Sequence, residues 1–320
     1  MRIIPLVLAA LLGAAGTAYA APVEVRHAQG VTTVAEAPAR TVVFDLAALD
    51  NLHALGVEAV GVPDARFAGA LEHYADARYA KVGTLFEPDL EAVRALAPDL
   101  IIVGDRSAPS YGALAEIAPT LDLTPAADNF FNDVLAGIES LGQVYDRQAQ
   151  ATALATELRE LRAGVAAQAG ALDAVVLFGV GGNVMAHPPG QRFGTPLDVL
   201  GLGSTLPALD TPWVRTAETR SARPQPGSPA AQVDRTMRAQ ELAYAMQAEP
   251  DWLVVLDRAL ATGGTEATDL AGIAPVTATA AWQAGRVFHL DPAGWYLAAG
   301  SHTVLRDTLN AFAEALEQSR

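Results

Sequence analysis

The chain has 320 residues, a formal charge of −15 at pH 7 and no cysteine. The acidity argues against nucleic acid or an anionic membrane as partner, and the missing cysteine excludes a thiol nucleophile, a CxxC pair, cysteine-ligated zinc or iron–sulfur sites and a lipid anchor on cysteine. A chain of this length exceeds one ordinary core, so two lobes of roughly 100 to 200 residues are expected.

Met1-Arg2, the apolar run Ile3 to Gly16 and the triplet Ala18-Tyr19-Ala20 describe a secretory signal peptide over residues 1–20, cut after Ala20. The run is shorter than the ~18 residues of a comfortable membrane span, and no later window is long, apolar and free of charge. A soluble, periplasmic chain without a lipid anchor is therefore expected.

The first lobe, residues 21–145, opens with the buried-strand run Thr41 to Asp45, a helical stretch stopped by Gly56 and a second strand, Val57 to Val62. In EPDLEAVRALAPDLIIVGDR, Leu90, Val93 and Leu96 make a helix face, and Leu100 to Val103 a fully apolar strand. Strands without alternation, separated by helices, signal a parallel sheet covered on both faces. Residues 146–170 read as one connecting helix, with Asp146 as its cap and Ala151, Leu154, Leu158, Leu161 and Val165 along one face.

The second lobe, residues 171–320, repeats this grammar with the strand Ala174 to Val180 and the helix stop at Leu200-Gly201. From Pro98 the chain reads PDLIIVGDR and from Pro250 PDWLVVLDR, which sets Arg106 and Arg258 at identical offsets after matching strands. Residues 213–238, rich in arginine and proline, read as a long surface loop or flap. The expected fold class is thus α/β: two small α/β lobes with parallel-type sheets joined by one long helix.

Ligands of open parallel sheets bind outside the carboxyl ends of the strands, where Arg106 and Arg258 fall. A single such arginine would be read as an ion pair with its neighbour, Asp105 or Asp257; the duplication favours ligand contact. One lysine, Lys81, stands against 20 arginines, so an arginine counts here only by position. Arg192, in a Pro/Gly loop before a helix near Pro196, is a third candidate. Arginine suits an anionic aromatic ligand, because it stays charged, is weakly hydrated and lies over ring faces. Trp295 and Tyr296 follow a strand, Val287 to Leu290, and a turn at Asp291-Pro292, on what reads as an exposed loop edge. Tyr111 and His187 complete the ligand-binding set. No HExxH, GxSxG, Walker loop or full GxGxxG occurs, which weakens any enzymatic reading.

Four segments in this order, PDLEAVRALAPDLIIVGDR, QRFGTPLDVLG, PDWLVVLDR and DPAGWYLAAG, resemble the periplasmic siderophore-binding proteins of ABC importers, especially the ferric-catecholate branch, over Val23 to Ala315. The resemblance implies a shallow cleft that closes little, with Arg106, Arg192 and Arg258 as an arginine triad. Tyr296 matches a tyrosine that in some members ligates iron together with a histidine. Here no histidine lies between Gly203 and Glu241, which favours a siderophore that already saturates iron; Tyr296 would bind metal only if the siderophore leaves iron positions open. His187 and His302 could compensate only if their loops reach the cleft. Glu91 and Glu241 match the carboxylates by which the family docks on its permease. The resemblance implies no enzyme activity and no intrinsic cofactor, a ferric siderophore as transported ligand, an ABC permease with its ATPase as partner at the inner membrane, and a monomer. The rival readings are a binding protein for haem or a corrinoid and, on a different principle, a siderophore-modifying hydrolase.

Overall fold

The structure is a computed structural model that describes residues 22–180, 182–206, 225 and 227–320. The signal-peptide segment and residues 213–224 and 226 of the expected loop lie outside the described residues.

The first lobe begins with an antiparallel hairpin, β1 (Val23–His27) and β2 (Gly30–Val34). Then follow β3 (Thr41–Val43), α1 (Leu46–Ala54), β4 (Gly61–Val62), β5 (Ala80–Lys81), α2 (Leu90–Ala95), β6 (Leu100–Val103), α3 (Tyr111–Ala115), β7 (Thr120–Asp122) and α4 (Phe130–Val144). The sheet is parallel, in the order β5-β4-β3-β6-β7. Period-two side-chain geometry, with both faces of the sheet covered, explains why Val42-Val43 of β3 and all of β6 are apolar. Val43, Leu100 and Ile102 face a core shared with α1 and α4, whereas Val42, Ile101 and Val103 face a smaller one closed by Val93 and Leu114. The chain builds outward from β3 in one direction and from β6 in the other, so the switch point lies between them, where a crevice opens.

Helix ends follow the local chemistry. The Asp45 carboxylate accepts the Ala48 N–H at the start of α1 (2.8 Å), and Gly56 leaves the helix in the left-handed region at φ 73°. The strand expected over 57–62 is shortened to its last two residues.

The connecting helix α5 (Gln148–Ala169) spans about 33 Å at 1.5 Å per residue. Asp146 does not cap it: no side chain does, and Asp146 instead takes φ 55° in the turn between α4 and α5. Sequence periodicity did not single out α4, which packs on α5 so closely that a Cβ at Gly142 would stand 2.3 Å from the Ala151 methyl.

The second lobe contains β8 (Asp173–Val180), β9 (Asn183–His187), α6 (Thr195–Leu200), β10 (Gly203–Ser204), α7 (Pro229–Gln247), β11 (Trp252–Asp257), α8 (Arg258–Ala261), α9 (Ala274–Thr277), α10 (Ala280–Gln283), β12 (Val287–His289), α11 (Pro292–Leu297) and α12 (His302–Gln318). Its sheet runs β10-β8-β11-β12 in parallel, with β9 antiparallel on β8. The segment 229–238, expected as loop, is the start of α7, because Ser228 caps it and Pro229 suits the first turn. Likewise Trp295 and Tyr296 lie in α11, capped by Asp291, rather than on a loop edge.

The two lobes share one core. Val43, Leu100 and Ile102 of the first sheet and Val176, Val254 and Leu256 of the second belong to a single packed cluster. The start of α12 is also bonded to α1: the Asn51 side chain accepts the His302 N–H (2.8 Å) and donates to the Gly300 carbonyl (3.2 Å), while Asp50 accepts the Thr303 N–H (3.2 Å).

Candidate functional site

The repeated strand ends deliver their arginines to neighbouring positions. After β6, Gly104 lets the chain pass close to Asp45, and Asp105 turns into the left-handed region at φ 45°. Its backbone N–H donates to the Thr124 hydroxyl (2.7 Å), which in turn donates to Asp122 (2.5 Å). The next residue, Arg106, has only 9% of its side chain exposed. Its Nη2 donates to the Tyr296 carbonyl (2.5 Å), its guanidinium lies 5.1 Å from the Tyr296 ring centre, and its Nη1 is 3.5 Å from Asp105 Oδ2.

Arg258 opens α8 directly after β11, and its Nε donates to the Tyr296 hydroxyl (3.0 Å). It forms no pair with Asp257, whose carboxylate instead accepts the N–H groups of Ala259 (2.8 Å), Leu260 (3.3 Å) and Thr268 (2.6 Å). Arg192 begins the tight turn Arg192–Gly194 before α6, and its Nη2 stands 2.6 Å from the same Asp105 Oδ2 that faces Arg106. Guanidinium groups from three chain segments thus converge around Tyr296 and Asp105.

Flat rings support them. Phe178 on β8 stacks on Phe193 at 4.1 Å and 14°, and Phe193 lies nearly parallel to Tyr296 at 6.2 Å and 8°. The Arg192 guanidinium sits 5.2 Å from the Phe193 ring centre. Ring faces are negative at their centres, so this arrangement holds the cations while leaving donor edges available. Between the lobes lies a cavity of about 210 Å³, bordered by Asp45, Asp105, Arg106, Arg192, Phe130 and Tyr296 among others. Phe193 and Tyr296 also border an adjoining groove of about 580 Å³ that holds Arg258, Arg235 and Arg238.

The acidities of Asp45 and Tyr296 are displaced. Burial pushes the Asp45 carboxyl up to about 6, with Asp105 adding to the rise and the Ala48 N–H and Arg106 opposing it. Burial also pushes the Tyr296 phenol up, but the hydrogen bond from Arg258 and the charges of Arg258 and Arg106 outweigh it, leaving the phenol below its ordinary value. A site of this kind can bind a planar anion by forked hydrogen bonds and offer a phenolate to a metal. Among the described residues, no three His, Asp or Glu side chains converge as a ready-made metal site.

A family model described as "Periplasmic binding protein" matches residues 42–293. The chain belongs to that family. The petrobactin-binding protein YclQ of Bacillus subtilis is 28% identical over 90% of this chain and 85% of its own, and its crystal structure superposes with a TM-score of 0.77. The ferric-anguibactin-binding protein FatB of Vibrio anguillarum is 25% identical over 89% of this chain and 84% of its own. The periplasmic catecholate-siderophore-binding protein VctP of Vibrio cholerae is 25% identical and superposes at 0.73 over 93% of this chain and 99% of its own. The family is one of substrate-binding proteins, not enzymes.

In this binding protein Trp295, Tyr111 and His187 sit differently from the sequence expectation. Trp295 is 3% exposed and donates its indole N–H to Thr308 (2.7 Å), so it borders the cavity from within the core. Consecutive residues of a helix point about 100° apart, and α11 turns Tyr296 toward the arginines and Trp295 inward. Tyr111 borders neither hollow; at the start of α3 its ring packs on His27 of the hairpin at 5.6 Å. His187 borders neither hollow either, and rests edge-on against Phe193 (5.4 Å) and Phe178 (5.7 Å). His302 is buried at the start of α12 against Glu157 (2.8 Å). Glu91 is exposed in the first turn of α2, and Glu241 is half-buried on α7.

Sequence reading passed over Asp45, Phe178 and Phe193, and treated Asp105 only as a neighbour of Arg106. Asp45 could have been found as the end of the strand beside the switch point, and Phe193 by its adjacency to Arg192.

Proposed function

We propose that this binding protein captures a ferric siderophore, of the catecholate class for preference, in the cleft bordered by Arg106, Arg192, Arg258 and Tyr296, and delivers it to the permease of an ABC importer. The observation that carries the reading is the convergence of three guanidinium groups, from separate segments in both lobes, around Asp105 and a phenol of lowered pKa. Catecholate oxygens are anionic acceptors on a flat ring, so they match both the donor forks and the ring faces. The names of YclQ, FatB and VctP, each a binder of a siderophore or its ferric complex, support the same class. Export by a signal peptide cut after Ala20, a periplasmic location without lipid anchor, a monomeric state and docking through Glu91 and Glu241 complete the reading.

Titrating intrinsic fluorescence with ferric catecholate, hydroxamate and carboxylate complexes tests it, with Trp295 at the cavity as reporter. Alanine at Arg106, Arg192 or Arg258 should each weaken binding by about 1.5 to 3 kcal/mol, the loss of a partly desolvated charge-assisted hydrogen bond. Unchanged affinity in all three variants rejects the triad.

A further inference from the structure

An anion approaching Arg106 and Arg192 meets a carboxylate already between them. One oxygen, Asp105 Oδ2, stands 2.6 Å from Arg192 and 3.5 Å from Arg106, so it occupies the position that an anionic ligand would take. Its backbone is not free to withdraw: the left-handed turn at φ 45° is tied to Thr124 and through it to Asp122. Asp45 stands close behind, where a Cβ at Gly104 would lie 2.9 Å from its carboxyl carbon. Asp133, a third acid on the cavity wall, is taken up by the Ala126 N–H (2.9 Å) and Asn129 (2.6 Å). The two arginines of the cavity thus face carboxylates before any ligand arrives, whereas Arg258 faces the Tyr296 hydroxyl in the adjoining groove.

We propose that Asp105 is a charge-selecting counter-ion which, with Asp45 behind it, restricts the cleft to ferric complexes of low net negative charge, neutral to monoanionic, and disfavours trianionic ones. The inference rests on the ferric-siderophore reading and narrows it by ligand charge. Repulsion between one fixed carboxylate and a bound complex grows in proportion to the complex's charge, and at the edge of a protein it is large enough to alter affinity several-fold per unit charge. Because Asp105 comes from the first lobe and Arg192 from the second, the same ion pair also spans the cleft.

The test uses the mature protein, Asp105→Asn and Asp105→Gly; both substitutions tolerate the left-handed backbone, so neither strains the turn. Each is titrated with three probes: neutral ferric tris-hydroxamate, monoanionic ferric bis-catecholate and trianionic ferric tris-catecholate. Relative to the neutral complex, removing the carboxylate should tighten the monoanion several-fold and the trianion by tenfold or more, and this difference should shrink as salt is raised. A change of equal size for all three complexes, or weaker binding of the anions, overturns the charge-selection role. If the unsubstituted protein binds none of the three, the catecholate reading fails and this inference with it. Binding by the unsubstituted protein with no charge-dependent gain in either variant defeats this inference alone.

Discussion

Tyr296 shows how one side chain acquires several functions from its surroundings. Its carbonyl receives Arg106, its hydroxyl receives Arg258, and its ring lies under both cations. A four-donor ferric complex leaves two positions on an octahedral ion, and a phenol with a lowered pKa can fill one as phenolate. A six-donor complex leaves none, so there Tyr296→Phe should cost only about 0.5 to 1.5 kcal/mol, one hydrogen bond. With a four-donor ferric catecholate the same substitution should remove a visible charge-transfer band and weaken binding further. Identical spectra for wild type and variant with that complex would exclude iron ligation by Tyr296. The sequence put both Trp295 and Tyr296 at the ligand, with Tyr296 singled out by the resemblance; that Trp295 turns inward depends on the phase of α11.

The strand end is the element that makes the site, and β11 shows its construction. Asp257 closes β11, starts α8 and holds Thr268, while across the sheet Gly179 gives it room: a Cβ there would meet the Thr268 hydroxyl at 2.3 Å and the Asp257 carboxylate at 3.0 Å. Burial pushes the Asp257 carboxyl up, but its hydrogen bonds from Thr268, Leu260 and Ala259 outweigh that and hold it below the ordinary carboxylate range. The folded protein therefore binds the Asp257 proton less tightly than the unfolded chain does. Its stabilisation is present above the unfolded value of about 4 and is lost as pH falls through the lowered folded value. Asp257→Ala should destabilise by about 1 to 3 kcal/mol at pH 7 and by progressively less in acid. Urea melts at several pH values measure this, and a pH-independent difference would contradict it. The strand and its terminal Asp-Arg were legible in the sequence, since PDLIIVGDR and PDWLVVLDR are local patterns. That Asp257 caps a helix while Asp105 crosses the cleft was not, because the two dipeptides differ only in what the other lobe and the next loop bring near.

At the scale of the molecule, a shared core and the bonds from α1 to the start of α12 argue for lobes that move little. Asn51 is the centre of that joint. Asn51→Ala leaves the His302 N–H without its acceptor and should cost about 1 to 3 kcal/mol, with faster hydrogen exchange at His302 and Thr303. Unaltered exchange there would show that the joint does not depend on Asn51. Transport, by contrast, should depend on the outer surfaces. Reversing the charge of both Glu91 and Glu241 should abolish uptake by cells while siderophore affinity of the purified protein stays the same, since neither borders the cleft cavities. A loss of affinity would move these glutamates from docking to capture.

Apolar strand runs, glycine helix stops and the duplicated Asp-Arg sites were sufficient for the two parallel-type sheets, the long helix and the strand-end positions of Arg106 and Arg258, because each of these is encoded within a few neighbouring residues. Folding was needed to place Trp295 in the core, to move Tyr111 and His187 away from the cleft, to turn 229–238 into helix and to set Asp105 between two arginines. These outcomes depend on helix phase, on caps and on distances across the cleft, and electrostatic balance at a site is a sum over groups that only the assembled lobes bring together.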